Sequence, residues 1–181
     1  MAPATRRKIW WVAGAFVVYE VIRLAVGLIA GSVAWANLSS LGNDGMNQTS
    51  QVAEGRLQTA GSAAGIAHAA LQDPLYWALG ALPHVGEDLK LANLATDATA
   101  RSAGHLAEVF GNIPANQNLS ELGLSSFAAK DVYHSLEALE KVAKDIAPQM
   151  GALNTTQLDF GMGPKVEKAL PAIRALSLIH I

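Results

Sequence analysis

Apolar residues along the chain form one nearly unbroken block, followed by three periodic ones. From Ile9 to Ala36 only Glu20 and Arg23 are charged, and about 20 apolar residues suffice to cross a hydrocarbon core. The block therefore predicts a transmembrane helix. Behind it, small and apolar residues recur at alternating spacings of four and three. The first series is Met46, Ser50, Ala53, Leu57, Ala60, Ala64, Ala67 and Leu71. The second is Val85, Leu89, Ala92, Thr96, Thr99, Ala103, Leu106 and Phe110, and the third is Ala129, Val132, Leu136, Leu139, Ala143, Ile146 and Met150. That period belongs to helices packed against near-parallel neighbours. The third series also carries outward charges at Lys130, Glu137, Glu140, Lys141 and Lys144. No strand-like alternation appears, so the expected class is mainly α: an antiparallel bundle, or coiled-coil-like hairpin, of three long helices behind a membrane helix.

The segments between the blocks set the expected boundaries. Residues 37–45 are rich in Gly, Asn and Ser and read as an irregular linker, with the helical module spanning 46–175. Gly111 to Ser126 is too rich in Gly, Pro and Asn to continue a helix, and Ser125 or Ser126 can cap the next one. Gly151 to Pro164 ends the third helix, and Pro164 suits the opening of a fourth.

The flanks of the apolar block give a direction. Trp10 and Trp11 stand 24 to 25 positions before Trp35, roughly 36 Å at about 1.5 Å per residue, which fits two interfacial aromatic belts. Arg6, Arg7 and Lys8 precede the block, and no Lys or Arg follows it until Arg56. The bias places a basic tail, residues 1–8, in the cytoplasm and the module outside the plasma membrane. Ala34-Trp35-Ala36 also resembles a signal-peptide cleavage site, but a signal core is about 7 to 15 residues long and this run is much longer. An uncleaved anchor is expected. Glu20 and Arg23, three apart on one helical face, are expected to pair with each other or to serve helix association; a functional intramembrane charge is the alternative.

Between the first two series, Leu71 to Ala92 is interrupted by Pro74, Pro83 and Gly86. Asp73 can cap a short helix opened by Pro74, and Pro83 stops it after Leu82. The chain then turns at His84-Val85-Gly86, and Glu87 and Asp88 meet the positive end of the next helix dipole. Trp77, Leu79 and Leu82 are expected to fill the wedge of this helical-hairpin corner. The order Asp73-Pro74, Trp77, Leu82-Pro83, Val85-Gly86 and Leu89, behind a basic-tailed anchor and an Ala-rich helix, resembles family 4012 of the domains of unknown function over roughly residues 62–175. The resemblance implies an anchored bacterial envelope protein with a helical N-terminal part. It brings no activity, cofactor or catalytic residue.

Composition narrows the function further. Hydrophobic residues make up 51% and charged residues 15% of the chain, and a mean hydropathy of +0.23 agrees with partial residence in lipid. A net charge of -2 with no basic stripe sets nucleic acid aside. The absence of cysteine excludes disulfides, thiolate metal sites and thiol catalysis. His105 with Glu108, and Asp131 with His134 and Glu137, sit at spacings of three, as in di-metal bundles, but the ligand set is incomplete and its first pair reversed. No catalytic, cofactor or metal residue is therefore assigned. The hydrolase elbow, the phosphate loop and the zinc-protease motif do not occur, and the sequons at Asn37, Asn47, Asn118 and Asn154 sit in segments where such triplets arise by chance.

The final residues, Leu176 to Ile181, spell the translation of a transposon end used to prepare sequencing libraries. The native frame is thus expected to stop near Ala175, leaving a fragment. The functional expectation is a single-pass, membrane-anchored helical scaffold or interaction module of the cell envelope. Its partners would be the bilayer and other envelope proteins or second copies. Two alternatives stay open: the stalk of an envelope enzyme of the polysaccharide-acting kind, whose catalytic domain lies further on, and an extracytoplasmic sensor domain.

Overall fold

The structure, a computed structural model, describes residues 3–45, 47–73, 76, 79–82, 85–122, 129–159 and 162–177. Five α-helices run through them: α1 (Pro3–Asp44), α2 (Ser50–Leu71), α3 (Val85–Gly111), α4 (Ala129–Gly151) and α5 (Met162–Ser177). The chain is mainly helical, and no strand occurs among the described residues; the only pairing of extended backbone is an isolated bridge between Thr49 and Asn118.

The boundary expected at residue 36 is corrected. Residues 37–44 continue α1 without a break. The polar residues that disfavour a helix there satisfy themselves within it: Asn37 Nδ2 donates to the Val33 carbonyl at 2.9 Å and Ser39 Oγ to the Ala36 carbonyl at 3.0 Å. Leu38 and Leu41 pack against Leu57, Ala103 and Ala107, so tertiary burial overrides weak propensity. The turn follows at Gly45, whose φ of 51° suits glycine. Met46, the first residue of the expected seam, lies outside the described residues.

The α2 seam is the clearest agreement with the pattern. Ser50, Ala53, Leu57, Ala60, Ala64 and Ala67 are all buried. Thr49 caps the helix, its side chain accepting from Val52 N–H. Ser50 is a seam residue because Oγ donates to the Pro114 carbonyl at 2.7 Å while its N–H donates to Gln117 O. These bonds fasten the 112–122 loop to the start of α2. Small residues let three helices approach closely. A Cβ at Gly27 would stand 2.8 Å from Ala70 Cβ, and one at Gly61 would stand 3.2 Å from Ala103 Cβ. Ala34, Ala63 and Ala64 pack together with Ala100. Helices α1 and α2 are therefore antiparallel, as are α2 and α3.

The second half of the module is built differently. Leu94 on α3 meets Leu153, Leu158 and Val166, with Leu91, Met150 and Met162 around them. Arg101 joins Asp145 on α4 at 2.6 Å, and Ser135 Oγ donates to the His105 carbonyl at 2.9 Å. On α3 the buried positions are Gly86, Leu94, Ala103 and Ala107. Most of the expected α3 series is only half buried, and Val85 is exposed, because this helix divides its surface between α2 and α4. Of the expected α4 series Ala143 and Ile146 are buried, Val132, Leu139 and Met150 half buried, and Ala129 and Leu136 exposed; Val142 and Ala147, outside the series, are buried beside them. Pro164 lies inside the first turn of α5, two residues after its start. Ser125 and Ser126, the expected caps of α4, and residues 178–181 lie outside the described residues.

Candidate functional site

The strongest concentration of buried polar chemistry lies where α1 passes the lower end of α2. Antiparallel packing brings Asp73, at the end of α2, alongside Arg23, 50 positions earlier. Their side chains form an ion pair, and Arg23 Nη2 also donates to the Ala69 carbonyl at 2.8 Å. Of the two uses expected for Glu20 and Arg23, a pair with each other is not formed among the described residues, and Arg23 instead serves helix association by joining α1 to the end of α2. Asp73 is only 8% exposed, and its pairing with a guanidinium satisfies the demand of a buried carboxylate. Glu20 is buried at 6% exposure, and its Oε2 has no hydrogen-bond partner among the described residues. Tyr76 completes the group. Burial pushes its phenol above the ordinary value, Arg23 opposes that shift, and Glu20 and Asp73 add to it.

The corner beside this cluster differs in detail from the expected wedge. Among the described residues of the corner Tyr76 is buried, whereas Leu82 is 50% exposed and Leu79 half buried. The reason is local: Gly80 N–H donates to Tyr76 O and Leu82 N–H to Leu79 O, so the turn tightens and swings Leu82 outward. Gly86 makes the return possible, because a Cβ there would overlap the Gly80 carbonyl. Pro74, Trp77, Pro83 and His84 lie outside the described residues. An open cleft of about 480 Å3 sits against the corner, lined by residues that include Asp73, Tyr76, Lys90 and Asn93.

Glu87 and Asp88 do more than face a helix dipole. Glu87 accepts from Asn154 N–H at 2.9 Å and pairs with Lys90 at 2.6 Å. Asp88 accepts from Asp159 N–H at 3.1 Å. Together they staple the loop after α4 to the start of α3. The Lys90 hydrogen bond, reinforced by the Asn154 amide, holds the Glu87 carboxyl below its ordinary value. Sequence reasoning placed both carboxylates in the right turn but had no signal for partners about 70 positions away.

The histidines and carboxylates that resemble a metal pattern are spread over the surface. His105 and Glu108 are exposed, with Nδ1 and Oε2 3.9 Å apart. Asp131 accepts from Asn112 at 2.8 Å, Glu137 pairs with Lys141 at 3.3 Å, and His134 stands edge-on to Tyr133. Among the described residues no three His, Asp or Glu side chains gather as metal ligands would.

One helix among the described residues, α1, is long and apolar enough to cross a membrane. Its outward side is apolar over a long stretch: Val18, Tyr19, Ile22, Val26, Ile29, Val33 and Trp35 are all exposed, while Ala30 and Ala34 are buried. The chain matches no family model, no curated protein and no solved structure.

Proposed function

We propose that the chain is a single-pass membrane protein that holds a helical scaffold at the outer face of the plasma membrane. The observation that carries this reading is the division of α1 into two faces. One packs through Gly27, Ala30 and Ala34 against α2, while the other exposes large aliphatic and aromatic side chains from Val18 to Trp35. So large a continuous apolar surface is costly in water and suits lipid. The basic tail at Arg6, Arg7 and Lys8 supports a cytoplasmic N-terminus. A scaffold role accords with side chains that fasten helices to one another, as Arg101 does to Asp145 and Glu87 to Asn154.

The lack of cysteine makes a direct test simple. Single cysteines are introduced as Thr5→Cys and, on the exposed 112–122 loop, as Ser120→Cys. In intact cells a membrane-impermeant maleimide is expected to label Ser120→Cys, and to label Thr5→Cys only after the membrane is opened. The reverse pattern would overturn the orientation. Recovery of the full chain in the soluble fraction would overturn the anchor itself.

A further inference from the structure

Helices α3 and α4 do not close on each other along their whole length. The small residues Ala95, Ala98 and Ser102 of α3 stand across from Leu139, Ile146 and Met150 of α4, and about 380 Å3 is left between them, with Ile173 of α5 at its side. The gap is held open. Near one end Ser135 Oγ donates to the His105 carbonyl at 2.9 Å, alongside it Arg101 joins Asp145 at 2.6 Å, and at the other end Leu94 packs against Leu153, Leu158 and Val166. Helices pinned at these points cannot collapse into the space, and its lining forfeits dispersion contacts.

The shape of the space selects its occupant. Its lining runs from Leu91 to Ser102 on α3 and from Leu139 to Met150 on α4. Each stretch advances 11 residues, about 16 Å at about 1.5 Å per residue. Spread over that length, about 380 Å3 leaves a mean cross-section of about 23 Å2. That is the girth of one extended hydrocarbon chain, far narrower than a helix with its side chains, which is about 10 Å across. The Ser102 hydroxyl on the wall is already bonded to the Ala98 carbonyl at 2.6 Å, so it makes no demand on a ligand. Apolar cavities of this kind take apolar ligands in preference to water, and the volume lies within the range of about 300 to 1,000 Å3 found for small-molecule sites.

A charge marks one end. The Arg174 guanidinium of α5 stands beside Gly151, where an added Cβ would lie 3.1 Å from Nη2, and Gly151 follows the lining residue Met150. A guanidinium carries five donors in a planar fork that matches a carboxylate. We propose that the slot between α3 and α4 binds the hydrocarbon chain of a fatty acid, with the carboxylate at Arg174. The narrow section admits one chain, so the occupant is the free acid and not a two-chain phospholipid. This inference goes beyond the scaffold reading and stands whether or not α1 crosses a membrane.

The test uses the full chain in phosphatidylcholine vesicles with a palmitic acid analogue that bears a diazirine near its methyl end. After illumination, labelled peptides are mapped by mass spectrometry. Peptides covering 91–102 and 139–150 are expected to carry the label, and excess unlabelled palmitate should displace it. Helix α1 is the internal control, because a chain dissolved in lipid labels an anchor without saturating. Ala98→Leu fills the slot and should abolish the displaceable label, while a melting temperature at or above that of the wild type shows that the variant is folded. Arg174→Gln alters an exposed residue and should raise the half-saturating concentration about two- to fivefold. The inference falls if palmitate does not displace the label from α3 and α4, or if folded Ala98→Leu keeps it. Equal labelling of the slot by a phosphatidylcholine with the same diazirine chain would overturn the free acid as occupant. Displaceable label in the slot with none on α1 would overturn the anchor and uphold the slot.

Discussion

Leu57 is the position at which three helices can be tested with one substitution. It is 2% exposed and packs against Ala103 and Ala107 of α3, with Leu38 and Leu41 of α1 around it. Truncating a buried Leu to Ala costs about 2 to 5 kcal/mol, depending on how far the surroundings collapse into the space. Here the fully buried neighbours are Ala103 and Ala107, short side chains fixed to the α3 backbone, which cannot fold inward to fill the gap. The expected cost of Leu57→Ala is therefore in the upper part of that range, about 3 to 4 kcal/mol. Leu41 is half buried, so Leu41→Ala should cost about 1 kcal/mol. The informative quantity is their coupling. Side chains that share a cavity depart from additivity by about 0.5 to 3 kcal/mol, whereas distant ones add to within about 0.5 kcal/mol. Leu94 belongs to a separate cluster, nine positions from Ala103 along α3, and supplies the distant control. Urea titration of the full chain in detergent micelles, read by near-ultraviolet circular dichroism, gives each free energy by linear extrapolation. Coupling of Leu41 with Leu57, and none of Leu94 with Leu57, is the expected result. Additivity of Leu41→Ala with Leu57→Ala would refute the packing of the outer end of α1 on α2, and residues 37–44 would then be a linker after all.

Three further outcomes follow from the geometry. The folded state holds the Glu87 carboxyl below its ordinary value, so its contribution is present above about pH 4.5 and lost as pH falls through the lowered value. The thermal-stability gap between the wild type and Glu87→Gln should therefore close on acidification below about pH 4.5, and a gap independent of pH would contradict the assignment. Gly86→Ala forces a Cβ into the Gly80 carbonyl and should destabilise by more than about 1 kcal/mol, whereas Gly55→Ala, where a Cβ meets nothing within 4 Å, should stabilise by about 0.5 to 1 kcal/mol in the same urea titration. His105 and His134 are exposed, so replacing both with Gln should change stability by no more than about 0.5 kcal/mol per site, and zinc should leave the melting temperature unchanged; a saturable rise abolished by the double substitution would reveal a metal site.

What the sequence makes legible is whatever repeats at short range. Ser50, Ala53, Leu57, Ala60, Ala64 and Ala67 are readable as a seam because each turn of α2 repeats the same demand on side-chain size. The apolar block of α1 is readable for a similar reason: its composition holds over many turns. The run through 37–44 is not, because Asn37 and Ser39 look like helix breakers until their in-helix bonds and the partners of Leu38 and Leu41 are known. The polar cluster is less legible still. Glu20 and Arg23 advertise a local pair, and only the packing of α1 on α2 shows that the carboxylate for Arg23 comes from Asp73. Leu82 departs from its pattern because hydrophobicity predicts burial only when the turn before it points inward.

The glycine and alanine contacts between α1, α2 and α3 bear on the order in which the protein can assemble. Large side chains drive association by leaving water and lose that drive once lipid surrounds them, but closely approaching backbones gain dispersion contacts in either solvent. Gly27 against Ala70, Gly31 near Ala67 and Gly61 against Ala103 are contacts of this second kind. The hairpin of α1 and α2 can therefore zip together on the ribosome, in the translocation channel or after release, with similar reward at each stage. Folding of this end is then freed from the timing of membrane insertion, while the leucine-lined cluster around Leu94, Leu153 and Leu158 must wait for water.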